Sequence, residues 1–434
     1  MTDTYSTTHA LNWYAEGSTQ RPFAHLQGEI AVDVCVVGGG IAGCSAALHL
    51  AERGYQVAVL EAESIGYGAS GRSGGQCLPG VSCGQTQLEK LLDPALARAA
   101  WDLTVEGLAL QQQLMARHDI DCDWQAGHLQ VCCHRRHERE LHAELEHLQR
   151  RYDYHSLEWI DRSAIAEHVG SACYVSGALD RQAGHLHPLK YTQGLARAAV
   201  SAGATVYEGS RVLGRQRTAR GWQLVTREGT VSCREVVLAG NATLGNWEPS
   251  LQRKILGVGT YMIATQSLSQ ERAQQLIPQN VAVSDMNWII DYFRLSADRR
   301  LLFGGEVSYG GLYPAHYAGA LRKRMQRVFP ELSTTPITHH WGGWLDITVN
   351  RAPHFGRLEP GVYFVQGFSG HGLALAGIAG KLLAEAVAGT QERFDVFARL
   401  RHADFPGGPW LRRPALVFAM LWYRLRDSLG SLTS

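Results

Sequence analysis

The stretch that most constrains this chain is residues 33–61, which reads VCVVGGGIAGCSAALHLAERGYQVAVLE from Val34. Residues 34–37 form a short apolar run rich in β-branched side chains, the pattern of a strand buried on both faces. Gly38, Gly40 and Gly43 follow in G-x-G-x-x-G spacing and lead into an Ala/Leu-rich helical run at 42–53, closed by Gly54. Residues 55–60 make a second buried strand that ends at Glu61. Such an order folds as a βαβ unit gripping a dinucleotide. Gly38 permits the tight turn, Gly40 lets backbone approach a pyrophosphate, and Gly43 lets helix and strand pack closely. The helix N-terminus offers N–H donors and a positive dipole end to the phosphates. Glu61 is placed where an acid accepts from ribose hydroxyls. A surface glycine loop mimics the spacing alone, but not the strand, helix, strand and terminal acid around it.

The 434 residues suffice for two domains and a sizeable core. A net charge of +1 gives no electrostatic footprint for nucleic acid. No apolar run reaches the ~18 residues that span a bilayer. Residues 1–17 lack a basic region followed by an apolar one, so a secretory leader is not expected. The nine cysteines are odd in number and show no C-x-x-C pair, which suggests neither a disulfide framework nor a metal site. Cys35 and Cys44 read as small core residues, and Cys132 and Cys133 as strand positions. A reducing cytoplasm fits this usage.

Taken in order, residues 1–30 read as a polar arm with Trp13, Tyr14 and Phe23 laid over the body. The loop AESIGYGASGRSGGQC at 62–77 is built of small residues that bring backbone close to a large flat ligand. Residues 88–117 and 137–151 show helical periodicity, with a strand at 127–133 between them. GALDRQAGHL at 177–186 reads as turn-rich, before a helix at 189–202. A hairpin at 222–233 precedes the buried strand 234–240, which returns the chain to the nucleotide sheet and makes that domain discontinuous. Strands at 260–266, 288–295 and 300–306 look antiparallel. A helix follows at 317–329. After a strand at 361–366, GFSGHGLALAGIAGKLLAEAVAG gives a second glycine-rich entry to a helix at 373–387, and a second ligand-facing cradle.

These motifs occur in one order with GHLHPLKY, VVLAGNATLG, DYFRLSADRRLLFGGE, NRAPHFGRL and QGFSGHG. Over nearly its full length the chain therefore resembles the D-amino-acid oxidase (DAO) superfamily of FAD enzymes, most closely the γ-glutamylputrescine oxidoreductase branch. The resemblance implies an α/β fold with an α+β second domain. Its Rossmann-like FAD-binding domain, of the glutathione-reductase/DAO type, would comprise 30–90, 175–250 and 340–400. A substrate domain with a mixed antiparallel sheet would comprise 91–174 and 251–339, and 401–434 would be an amphipathic tail. By position, Gly38, Gly39, Gly40, Ala42 and Gly43 would hold the pyrophosphate of FAD, and Glu61 with Ala62 the adenosine ribose. Gly68, Ala69, Ser70, Arg72 and Ser73 would follow the diphosphate, and Gly74, Gly75 and Gln76 would reach the flavin. Val212 would flank the adenine, and Gly240 and Asn241 would pass the dinucleotide. Ser369, Gly370, His371, Gly372 and Leu373 would lie at the isoalloxazine. Sarcosine-type relatives tether FAD through a cysteine in the stretch matching WGGWLD at 341–346. This chain has none there, which implies non-covalent FAD. It also lacks the relatives' oxygen-activating lysine near Leu302, leaving Arg299 and Arg300 as nearby positive charges.

The implied reaction oxidises an amine C–H bond to an imine that water hydrolyses. The cofactor performs the hard step, so no strong acid/base constellation is required. Tyr292 and Arg294, two apart on one strand, face one side. Arg294 would pair a substrate carboxylate, or else an acid such as Asp291. Trp288 and Trp344 would wall an apolar slot, or else fill the core. Asp346 would receive a cationic amine, or else be a turn acid before Asn350. His371 reads as a structural and electronic partner of the flavin, and His185 and His187 as turn and helix-start residues. Residues 412–426 are amphipathic and either cover the body or lie on the inner membrane surface, where electrons would pass to a respiratory acceptor in place of molecular oxygen. The expected activity is oxidation of a γ-glutamylated diamine or polyamine in nitrogen catabolism, with hydrogen peroxide as co-product. The rivals are an oxidase or dehydrogenase of pipecolate, proline or sarcosine, and a non-enzymatic flavoprotein subunit.

Overall fold

The apolar run that begins at Val34 is buried from both sides because its strand lies at the middle of a sheet with two covered faces. The computed structural model describes residues 12–16, 21–244, 247–287, 289–308 and 317–406. Strand Gly28–Val37 pairs in parallel with Val57–Leu60 on one side and Gly229–Leu238 on the other. Thr205–Tyr207 and Val362–Gln366 extend the sheet in parallel, and His354–Glu359 closes one edge antiparallel. Alternation along the central strand sorts the two cores. Val34, Val36, Val57 and Val59 pack with Leu48 of helix Ile41–Ala51 and Leu382 of helix Leu373–Val387. Cys35, Val37, Leu60 and Val236 pack against Trp222 and Leu224 of the hairpin Gly214–Thr218 and Gly221–Val225. This is the Rossmann-like α/β unit.

The second sheet is mixed and mainly antiparallel. In spatial order it runs Ile337–Thr348, Ile255–Thr265, Leu301–Ser308, Tyr292–Leu295, Ala282–Asp285, Gln125–Cys132, Ser176–His185 and Gln76–Cys77, with Leu157–Ile160 also paired to Ser176–His185. Residues at one parity, among them Leu129, Val131, Leu179, Val283, Phe293 and Phe303, pack in one core with Leu321 and Met325 of helix Tyr317–Val328. Residues at the other parity, among them His128, Gln130, Asp180, Ser284 and Tyr292, face a cavity between the two sheets.

Strand pairing moves the domain boundaries away from 30–90, 175–250 and 340–400 for the nucleotide unit. Gln76–Cys77, Ser176–His185 and most of Ile337–Thr348 pair into the second sheet. Helix Pro94–Arg117, expected with the substrate unit, buries Leu103 and Leu110 in the core of the nucleotide unit. The chain crosses between the units repeatedly, and each amphipathic face is claimed by the nearest apolar surface.

The turn-rich segment at 177–186 is a strand. A Cβ at Gly177 or Gly184 would come within 2.6 and 2.3 Å of the carbonyls of Gln130 and Gln125, so these glycines serve close strand approach and not turns. The helical pattern at 88–117 divides at Asp93, whose side chain caps Leu96 N–H at 2.9 Å, with Pro94 in the first turn.

Tyr14 is not laid over the body. It is 1% exposed, inserted edge-on against His187 and Trp341. All nine cysteines are free thiols. Among the described residues no helix is long and apolar enough to cross a membrane. The amphipathic run at 412–426 and Trp288 lie outside the described residues.

Candidate functional site

Close approach explains the glycines of the opening motif. A Cβ on Gly43 would sit 1.9 Å from Gly38 O, one on Gly38 would sit 2.7 Å from Ala239 O, and one on Gly40 would sit 2.9 Å from Ser70 Oγ. Gly38 also has φ +112°, a backbone conformation natural to glycine. Helices Ile41–Ala51 and Leu373–Val387 both begin at a glycine that has no side chain to cap the end; at the first, Ser70 Oγ accepts from Ile41 N–H at 3.1 Å. Both starts open into one cavity of about 1280 Å³. Drug-sized ligands occupy roughly 300–1,000 Å³, so there is room for a dinucleotide together with a substrate. Ser73 Oγ and Asn241 Oδ1 line this space, buried and without a hydrogen-bond partner among the described residues. Two helix N-termini opening on one space, a glycine cradle and orphaned polar atoms fit FAD.

Most candidates from the sequence line the cavity: Gly38, Gly40 and Ala42, then Glu61 and Ala62, the loop from Gly68 to Ser70 and from Ser73 to Gln76, Val212, Gly240, Asn241, and the turn from Ser369 to Leu373. Glu61 accepts from Gly39 N–H at 2.6 Å and Glu63 N–H at 3.0 Å, while burial pushes its pKa up. Four candidates do not line it. Gly39 turns its N–H onto Glu61, and Gly43 faces Gly38. Arg72 donates to the carbonyls of Tyr67 and Gly342, at 2.8 and 3.0 Å, and so ties the glycine loop to the second sheet.

Arg294 is the fourth, and here the structure corrects the expectation of a carboxylate clamp. It shares the cavity-side parity of Tyr292, but is 2% exposed and fully engaged. Its guanidinium donates to Gly74 O at 2.6 Å, Leu186 O at 2.9 Å, Leu295 O at 3.2 Å and Tyr14 Oη at 3.0 Å. Asp291 is paired with Arg324 and Arg327 instead. Arg300 is held by Asp298 and Thr338, away from the cavity lining.

Tyr292 stands between Gly74 and Gly304. A Cβ at either would come within 2.8 or 2.3 Å of its ring. Its hydroxyl is 3.2 Å from Thr260 Oγ1, and burial pushes its pKa to about 12. Trp344 lines the same wall. His371 donates from Nε2 to Pro79 O at 2.8 Å, and burial lowers its pKa. Asp346 is no turn acid: it lies on strand Ile337–Thr348, 1% exposed, accepting from Gly367 N–H and the Asn241 side chain, while its own carbonyl accepts from Ser369 N–H at 3.0 Å. It thereby joins the turn at Asn241 to the turn at Ser369.

Burial pushes the Asp346 carboxyl up to about 7. The folded protein then keeps a proton that the unfolded chain releases near pH ~4. Its contribution to stability is full at the acid end and lost as pH rises from ~4 through about 7. Asp346→Asn, whose amide oxygen still accepts from Gly367, is expected to flatten that slope. Thermal unfolding of both proteins between pH ~5 and ~8 measures it.

Sequence reasoning missed the opposite wall, where Trp101, His128, Gln130, Tyr154, Asp180 and Ser284 line the cavity. They come from a helix, a loop and three strands, and no local motif marks them. Arg211 and Arg351 are the guanidinium groups among the described lining residues. Arg211 pairs with Glu63 beside the ribose-side acid, and Arg351 lies on the turn leaving strand Ile337–Thr348.

Comparison with known proteins agrees with this geometry. The family model described as FAD dependent oxidoreductase (DAO) matches residues 33–386. The chain is 41% identical over 426 residues to the gamma-glutamylputrescine oxidoreductase of Escherichia coli (strain K12), covering 98% of this chain and 100% of that protein. It is 36% identical over 424 residues to the probable oxidoreductase OrdL of Haemophilus influenzae, covering 96% and 97%. The crystal structure of glycine oxidase from Bacillus cereus ATCC 14579 superposes with a TM-score of 0.71 at 21% identity, over 86% of this chain and 99% of that one. At that identity the likeness concerns the fold.

Proposed function

Because this chain belongs to the DAO family of FAD-dependent oxidoreductases, we propose that it oxidises the terminal primary amine of a γ-glutamylated diamine or polyamine. FAD supplies the two-electron acceptor for the amine C–H bond. The Gly38 to Gly43 turn, Glu61 and the Ser73 to Gln76 loop would hold that cofactor, with the Ser369 to Leu373 turn at its reacting end. No cysteine lines the cavity, which supports a non-covalent association.

One observation carries the choice of substrate. The wall that faces the glycine cradle from the second sheet presents Tyr292, Trp344, His128, Gln130, Ser284 and Asp180, and its described strand residues include no lining Lys or Arg, Arg351 lying on the turn beyond strand Ile337–Thr348. An amino-acid substrate brings a carboxylate next to the reacting carbon, which such sites meet with a bidentate guanidinium. Arg294, the guanidinium on the strand of Tyr292, already donates to Tyr14 and to three carbonyls. Strands that present aromatic and neutral or acidic side chains, with the lining guanidinium of Arg351 only beyond their end, suit an alkyl amine whose carboxylate is several bonds away. The similarity to a gamma-glutamylputrescine oxidoreductase supports the same substrate.

Anaerobic bleaching of the flavin tests this. γ-Glutamylputrescine and γ-glutamylspermidine are expected to bleach it, and L-pipecolate, L-proline, sarcosine and D-alanine to leave it yellow. Air is then admitted, and peroxide formation at the rate of recolouring identifies oxygen as the acceptor. Bleaching by proline or pipecolate alone overturns the γ-glutamyl assignment. Acid precipitation is expected to leave all the FAD in the supernatant.

A further inference from the structure

The second sheet carries a histidine that the fold leaves half-used. His128, on strand Gln125–Cys132, is 5% exposed and lines the cavity. Its Nε2 lies 2.9 Å from Ser284 Oγ on the adjoining parallel strand. Its Nδ1 makes no hydrogen bond among the described residues. Asp180 stands opposite His128 in register, but its carboxylate already accepts from the hydroxyls of Tyr154 and Ser156, at 2.7 and 2.8 Å, and from Gln182 and Ala183 N–H. The other titratable groups near the ring are His371, from the turn facing it, and His185, farther along the strand of Asp180.

Burial and the proximity of His371 depress the His128 pKa to about 3, so the imidazole is neutral at physiological pH. A neutral ring offers one lone pair and does not repel an arriving ammonium. When Nε2–H donates to Ser284 Oγ, that lone pair belongs to Nδ1.

We propose that His128, oriented by Ser284, receives an N–H of the reacting primary amine at Nδ1 and so fixes the amine end of the substrate against the second sheet. The inference rests on the amine reading above. His128 is a substrate-binding residue in this scheme and Ser284 a positioning residue. The ligand class is a primary amine or ammonium with a free N–H; a quaternary amine has no hydrogen to give.

The test compares the FAD-loaded wild type with His128→Phe and His128→Asn by anaerobic flavin reduction with γ-glutamylputrescine. His128→Phe is expected to keep its flavin spectrum and to lose roughly ten- to a hundredfold in reduction rate over substrate affinity. His128→Asn, which restores a carbonyl acceptor, recovers part of that loss. An analogue trimethylated at the terminal nitrogen, followed by its perturbation of the flavin spectrum, is expected to bind wild type and His128→Phe alike. If His128→Phe does not retain flavin, Ser284→Ala is read in its place, with a slower reduction expected and an unchanged one overturning the proposal. Wild-type bleaching with undiminished reduction of His128→Phe overturns the role of His128 alone. Failure of every amine to bleach the wild type overturns the amine reading and this inference with it.

Discussion

Gly43→Ala is expected to yield a protein that purifies colourless. The added methyl would stand 1.9 Å from Gly38 O and 3.1 Å from Gly38 C, and neither backbone atom has a rotamer to escape into. Helix Ile41–Ala51 must back away from the sheet by an ångström or so, at a cost on the order of 3 kcal/mol. The stability loss is the smaller consequence. Gly40 and Ile41 line the cavity at the start of that helix, so its retreat carries the phosphate-facing N–H groups away from their target. Flavin absorbance per protein after gel filtration measures the effect, with Gly214→Ala as control, since a Cβ at Gly214 meets nothing within 4 Å. A yellow Gly43→Ala protein with normal FAD content would sink the close-packing account of this turn.

Arg294→Met is expected to damage the protein in a way that separates a structural brace from a substrate clamp. The side chain holds Gly74 and Leu186 through their carbonyls and Tyr14 through its hydroxyl, all away from water. Methionine fills comparable volume but leaves those acceptors unpaired, at about 1–3 kcal/mol for each that water cannot reach. Gly74 and Gly75 line the cavity, so their loop loosens together with its anchor. The expected result is a melting temperature lower by several degrees and a weaker hold on FAD. In protein resaturated with FAD, the KM for amine is unchanged. A raised KM with normal stability and normal FAD affinity would return Arg294 to the role of a substrate anchor.

The two predictions fall on either side of what the sequence makes legible. Gly43 is readable because everything that constrains it lies within a few residues: an apolar strand, a turn, and a helix packed back on that strand. Helix Leu373–Val387 was legible for the same reason, with its glycines directly preceding an Ala/Leu run. Arg294 was placed on the correct strand, and on the same face as Tyr292, yet its partners are Tyr14, Gly74 and Leu186, and nothing local announces them. The same holds for His128 and Ser284, separated by 156 residues and joined only by strand pairing. Ser176–His185 was misread because glycines that serve close strand approach look, in sequence, like glycines that serve turns. Local periodicity reveals the cradle, and non-local pairing builds the wall opposite it.

The inserted tyrosine bears on how the chain comes to be finished. Tyr14 is made long before its partners, yet it packs against Trp341 and bonds to Arg294, 280 residues away. Its binding slot does not exist until the chain has been made through Trp341, so the segment made earlier is seated later. Loop closure over such a separation is slow, and an exposed aromatic segment waits meanwhile for its place. Because Tyr14 braces the arginine that holds Gly74, completion of the cofactor cradle is deferred to the same late event. A chain that lacks its second sheet therefore lacks the arginine that ties Gly74 to Tyr14, and with it one anchor of the cradle.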